Sequence, residues 1–199
     1  HLEYYCLNTL QNLMSRHELE IYDAEENEVN GGSIRVMITH KKRNKKKTVR
    51  MQKLLQIEEE MKLSSKDTYI LFHNKILDMK KKIKQTIMEE TIKGNLVIGL
   101  GASTKGNMLL QMFEIGKETM PYISERNPDK VGLKTLGTDI ELISESAARA
   151  MNPSYMLVLP WYFKDEIVKR ERSYIAAGGK LIIPMPYPHV VDKEGEHAL

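Results

Sequence analysis

The sequence predicts an α/β fold in which short strands and helices alternate around a mostly parallel sheet. Two observations carry this. From Asn95 onward, short apolar runs such as "LVIGL" (96–100), "YMLVLP" (155–160) and "KLIIPMP" (180–186) are separated by helical stretches, and strands joined by helical crossovers pair in parallel. The first of these runs leads into a glycine-rich turn, "GLGASTKG" (99–106), followed by a helical pattern. Together they describe a Rossmann-like, doubly wound sheet with helices on both faces. A helix–strand–strand segment and a helical hairpin precede it.

The elements follow in order. "LNTLQNLMSRH" (7–17) places Leu7, Leu10, Leu13 and Met14 on one helical face. "LEIYDAEENEV" (19–29) is extended, "NGGS" (30–33) has turn chemistry, and "SIRVMITH" (33–40) alternates as a strand does, which gives a pair of strands. Met51, Leu54, Leu55 and Met61 mark one helix, and a longer one runs from about Asp67 to Ile92. Beyond "LVIGL", "TKGNMLLQMF" (104–113) is helical, "TMPYISE" (119–125) a strand, and "ISESAARAM" (143–151) helical. "YMLVLP" is a buried strand, "FKDEIVKRERSYIAAGG" (163–179) one helix closed by Gly178-Gly179, and "KLIIPMP" the last strong strand. The methionine-rich stretches read as core. The expected division is 1–94, whose long helices pack on the sheet, and 95–199, the α/β core, within one domain overall.

Composition narrows the function. Hydrophobic residues at 41% and charged residues at 29% over 199 positions describe a globular protein, and no apolar run approaches the roughly 20 residues of a membrane helix. A single cysteine, Cys6, excludes an internal disulfide framework and most all-cysteine metal sites, so a reducing, cytoplasmic setting is expected. The net charge of +3 comes largely from "KKRNKKK" (41–47). Without interleaved aromatics this run reads as a solvated turn, so neither a nucleic-acid nor a membrane partner is expected. His17, His40, His73, His189 and His197 show no metal-ligand spacing, and no metal site is expected in this chain. The chain opens on His1 and already apolar "LEYY", which reads as a piece of a longer polypeptide.

The glycine turn is the main chemical signal. Gly99 and Gly101 allow a tight turn and close backbone approach, Ser103 and Thr104 suit a helix cap, and the helix N-terminus with Lys105 suits an anion. Spacing fits the dinucleotide fingerprint only in part, because the next glycine is Gly106, and it does not fit the Walker pattern. Phosphate cradle and plain strand–helix turn both remain open on spacing alone.

A resemblance extends the reading. "HLEYYCLNTLQNLMSRHELEI" (1–21), "VNGGSIRV" (29–36), "GLGASTKGNMLLQ" (99–111), "ERNPDKVGLKTLGTDI" (125–140) and "AAGGKLIIPMP" (176–186) resemble, in order and spacing, the C-terminal domain of S-adenosylmethionine-dependent sugar C-methyltransferases. The resemblance implies a domain that binds a nucleotide-linked deoxysugar. It also implies partner domains absent from this chain, an N-terminal one holding zinc and a middle one holding S-adenosylmethionine, with the chain alone inactive. Within the family a Tyr-x-Glu-His segment supplies a catalytic base, and His1 falls on that histidine. The implied chemistry is removal of a proton next to a ketone, then attack of the enolate on the donor's methyl group. The resemblance places Asn30, Gly31 and Gly32 beside the substrate, together with the turn (Gly99, Gly101, Ala102, Ser103, Thr104, Lys105) and the loop carrying Glu125, Asn127 and Lys130. Tyr162, Leu136 and Leu100 depart from the family's usual Asn, Pro and Tyr. The competing expectation is an autonomous NAD(P)-dependent oxidoreductase that uses Gly99 and Gly101, with Glu125 as its ribose-binding acid.

Overall fold

A computed structural model describes residues 3–199, apart from the side chain of Asn30. His1, the expected catalytic base, lies outside the described residues. The chain forms two compact units, His1–Asn74 and Lys75–Leu199, with the division inside one long helix.

In the first unit, helix α1 (Leu7–Ser15) precedes an antiparallel pair, β1 (Leu19–Asn27) and β2 (Ser33–His40), and then α2 (Val49–Glu60). Its small core is Leu7, Ile21, Ala24 and Met51. Glu58 of α2 accepts the backbone N–H groups of Leu7 and Asn8, so a carboxylate neutralises the positive end of α1. Asp23 accepts from Arg50 Nε at 3.1 Å and from Thr48 Oγ1 at 2.6 Å, which ties β1 to the start of α2. The basic run is an exposed turn bound to its own unit. Lys45 Nζ lies 3.7 Å from the centre of the Tyr22 ring, and Lys41 Nζ donates to the Ser15 carbonyl at 2.8 Å.

Helix α3 (Lys66–Ile92) leads into the second unit. There a seven-stranded sheet is built from β3 (Val97–Leu100), β4 (Tyr122–Glu125), β5 (Glu141–Ser144), β6 (Tyr155–Val158), β7 (Lys180–Ile183), β8 (His189–Asp192) and β9 (Gly195–Ala198). Its order is β5-β4-β3-β6-β7-β8-β9, parallel from β5 to β7 and antiparallel thereafter. The chain winds outward from β3 through β4 to β5, then returns to place β6 on the other side of β3. Helices cover both faces. Val97, Leu157 and Ile182 pack with α3 and with α4 (Thr104–Phe113) through Ile83, Ile87, Leu110 and Phe113. Their strand neighbours Ile98, Leu100, Met156, Val158 and Leu181 pack the opposite way, on α5 (Glu145–Ala150), α6 (Lys164–Arg170) and α7 (Arg172–Ala176). Strands buried on both faces explain why these runs are continuously apolar.

The structure adds to the sequence expectations and corrects some of them. β5 occupies 141–144, where a helix was expected from 143, and β8 and β9 follow the strand expected to be the last strong one. The single helix expected over 163–179 is two, because the backbone at Glu171 leaves the helical region (φ −86, ψ 7). There the Glu171 carboxylate, 2% exposed, is enclosed by Arg149 and Arg170. Met51, Met120 and Met156 are core as expected, whereas Met61, Met88, Met108 and Met112 are exposed. Among the described residues, no helix is long and apolar enough to cross a membrane.

Candidate functional site

The chain reverses its course across the sheet between β3 and β6, and in open α/β sheets ligands settle at the carboxyl ends of strands beside such a reversal. The glycine turn lies at that end of β3. Gly101, at φ +77, makes the turn, and its N–H donates to the Ser124 carbonyl at 2.8 Å. Gly99 acts differently from the expectation. It lies within β3, where a Cβ would come 2.6 Å from Ile123 Cγ1, so its role is close strand packing. Ser103 caps α4 as expected, its Oγ accepting the Gly106 N–H at 3.0 Å. Gly106 brings α4 against the end of β6, since a Cβ there would lie 2.6 Å from Leu159 Cβ. Thr104 and Lys105 are exposed on the first turn of α4, and Lys105 Nζ lies 4.7 Å from the Tyr162 ring centre.

Glu125 braces the turn. Its Oε2 accepts the Ala102 N–H at 2.8 Å, and its Oε1 accepts those of Arg126 and Asn127, both at 2.8 Å. The carboxylate, 8% exposed, thus clasps the turn after β3 to the loop after β4. Lys130 adds a second tie, donating from Nζ to the Ala102 carbonyl at 3.2 Å. Asn127 shapes the loop by accepting the Asp129 N–H at 3.0 Å and capping a 3₁₀ turn, Pro128–Lys130.

The structure therefore brings together Gly99, Gly101, Ala102, Ser103, Thr104, Lys105, Glu125, Asn127 and Lys130. Asn30, Gly31 and Gly32 belong to the first unit, where a 3₁₀ turn, Val29–Gly31, joins β1 to β2 with Gly31 at φ +81 and Gly32 at φ +116. Among the described residues, no group of three or more His, Cys, Asp or Glu side chains is placed to hold a metal ion.

Sequence reading missed the residues that complete this end of the sheet. A cleft of about 360 Å³ adjoins the turn, with Leu100, Pro160, Phe163 and Ile167 forming apolar walls. Arg126 and Arg170 stand at it on either side of Glu145, at 3.8 and 3.4 Å from its carboxylate oxygens. These residues come from separate helices and loops, and no local spacing announces them.

Residues 28–186 match the family model described as the C-methyltransferase C-terminal domain. The chain belongs to that family. It is 28% identical over 194 residues to the C-methyltransferase NovU of Streptomyces niveus, an alignment covering 98% of this chain and 46% of that protein. The chain thus spans about half the length of this curated relative. The stretch matched by the C-methyltransferase C-terminal domain contains every candidate residue above except His1. Neither comparison supports the NAD(P)-dependent alternative, and Glu125 spends both carboxylate oxygens on backbone donors instead of a ribose diol.

Proposed function

We propose that the chain is the substrate-binding domain of an S-adenosylmethionine-dependent C-methyltransferase acting on a nucleotide-linked deoxysugar in the cytoplasm. The diphosphate sits on the turn 101–105. The observation that carries the proposal is a braced, capped glycine turn at the chain reversal of a C-methyltransferase C-terminal domain. The strand order and two-sided winding support a Rossmann-like arrangement. So does Gly106, which allows the close helix–strand approach that the third glycine of the dinucleotide fingerprint serves.

In this reading the first turn of α4 offers backbone N–H groups and the positive end of the helix dipole to the diphosphate. Lys105 adds a point charge. Glu125 and Lys130 act as positioning residues, and Asn127 shapes the loop bordering the site. Asn30, Gly31 and Gly32 contact the sugar, and His1 takes the proton in the whole protein. The residues present do not fit the methyl donor. A donor's ribose hydroxyls call for a carboxylate turned toward the ligand, and the acid following the glycine turn faces the backbone instead. In this reading donor and zinc are held by partner domains of the whole protein, and the chain alone transfers no methyl group.

Replacing Lys105 by Ala in the whole enzyme tests the seat. Loss of one charge-assisted contact should raise substrate KM about tenfold with kcat little changed. An unchanged KM in a folded variant removes Lys105 from the site.

A further inference from the structure

We infer that the outer edge of β2 is a docking surface for an extended strand supplied by the rest of the whole protein. This rests on the reading that the chain works within a longer methyltransferase.

The two edges of the β1–β2 pair differ. The edge at β1 is guarded. A bulge interrupts it between Ile21 and Asp23, and the segment leading to α2 closes on it, the Thr48 N–H donating to the Tyr22 carbonyl at 2.9 Å. At β2, among the described residues, no hydrogen bond reaches the outer edge. Its eight residues include neither proline nor lysine, and Arg35 is drawn to Glu25 of β1 at 2.7 Å. Finished sheets guard their edges because an open one pairs with any strand that fits.

The side chains show which face is unfinished. Ile38 lies across from Ile21, and Val36 from Ala24, so the alternate residues Ile34, Val36 and Ile38 share the face of the small core. Helices α1 and α2 pack on β1, and Ile34 and Ile38 are left 38% and 42% exposed. A strand added beside β2, apolar at alternate positions and carrying its own cover, would bury both while its backbone pairs with the open edge.

The unit is also short of core. Among the described residues its buried apolar side chains are Leu7, Ile21, Ala24 and Met51. Against these, Tyr69, Ile70, Leu71 and Phe72 are exposed in succession around α3, and a helix apolar on all sides is one that neighbours enclose. Two strands alone make a marginal sheet.

The family border favours the rest of the protein over a second copy as the source. The C-terminal domain begins at residue 28, between two strands that pair along their length, so its border runs through the hairpin. The alignment with the curated relative takes in nearly the whole chain, β1 included, and covers 46% of that protein, which leaves more than half of it to supply a strand.

Photo-cross-linking tests this. Benzoylphenylalanine replaces Ile34 in the whole protein, and mass spectrometry reads the product. A cross-link within one chain, to a segment outside these 199 residues, is expected. A cross-link to β2 of a second copy, or one confined to these 199 residues, overturns the proposal. Ile38→Lys gives a second readout. In the whole protein it puts a charge into a covered position, and the melting temperature should fall by about 5 °C or more. In the 199-residue chain the position is open, and the shift should stay below about 2 °C. Equal shifts in the two proteins overturn the proposal. Absence of methyl transfer by the unsubstituted whole protein removes the functional reading, while the cross-link decides the interface by itself.

Discussion

Replacing Glu125 by Gln probes the brace with minimal change of shape. The wild-type carboxylate receives backbone N–H groups on both oxygens, one on Oε2 and two on Oε1. A carboxamide keeps one acceptor. Its best placement sets the oxygen toward Arg126 and Asn127 and points its NH₂ at the Ala102 N–H, donor against donor. Stranding that N–H costs about 1–3 kcal/mol, and the remaining bonds lose their charge assistance, about 1 kcal/mol more. The sum, about 3 kcal/mol, corresponds to a fall in melting temperature of about 10 °C for a unit of this size. Calorimetry on the variant gives the first readout, and nucleotide affinity gives the second, which should fall with the loosened turn. A melting temperature within about 2 °C of wild type would refute the brace as described.

Gly106→Ala forces a methyl group to within 2.6 Å of Leu159 Cβ and 2.9 Å of the capping Ser103 Oγ, so we expect a loss of about 1–3 kcal/mol in urea unfolding despite alanine's better helix propensity. In the first unit, hydrogen bonds from Arg50 and then Thr48 hold Asp23 down at about 2. An unfolded aspartate titrates near about 3.9, so this contribution is complete above that pH and is lost as pH falls toward 2. Asp23→Asn should therefore be less stable than wild type at pH 6 and lose most of that difference by pH 2.5, as measured by paired urea melts at the two pH values.

Much of the architecture is legible because burial on both faces leaves a plain record. Val97 to Leu100 and Tyr155 to Val158 are buried throughout, and no amphipathic pattern competes with that reading. β5 is hidden because Glu141 and Ser144 bracket only two apolar residues, and Ser144 caps the helix that follows at once. β8 and β9 are hidden behind Pro184, Pro186 and Pro188, which read as an end to regular structure. The break at Glu171 answers to a tertiary ion cluster, since the local sequence is good helix. The site divides in the same way. Gly101 and Ser103 declare themselves through backbone freedom and capping, which are local properties. The clasp of Glu125 on Ala102 joins residues 23 positions apart, and the burial of the Ser124 hydroxyl, without a hydrogen-bond partner among the described residues, emerges only when the sheet is assembled.

The two margins of the sheet differ in how they meet other molecules. Beside β5 the chain screens itself, with the Gly132 N–H donating to the Leu142 carbonyl and the Leu142 N–H to that of Leu133. At the other margin stands β9, four exposed residues carrying Glu196 and His197, paired on its inner side to β8 with its buried Val190 and Val191. Open strand margins invite self-association, and a short, charged, hydrophilic one discourages it. β9 therefore acts as a shield for β8. Removing this small strand would bare the edge of β8 and favour self-association.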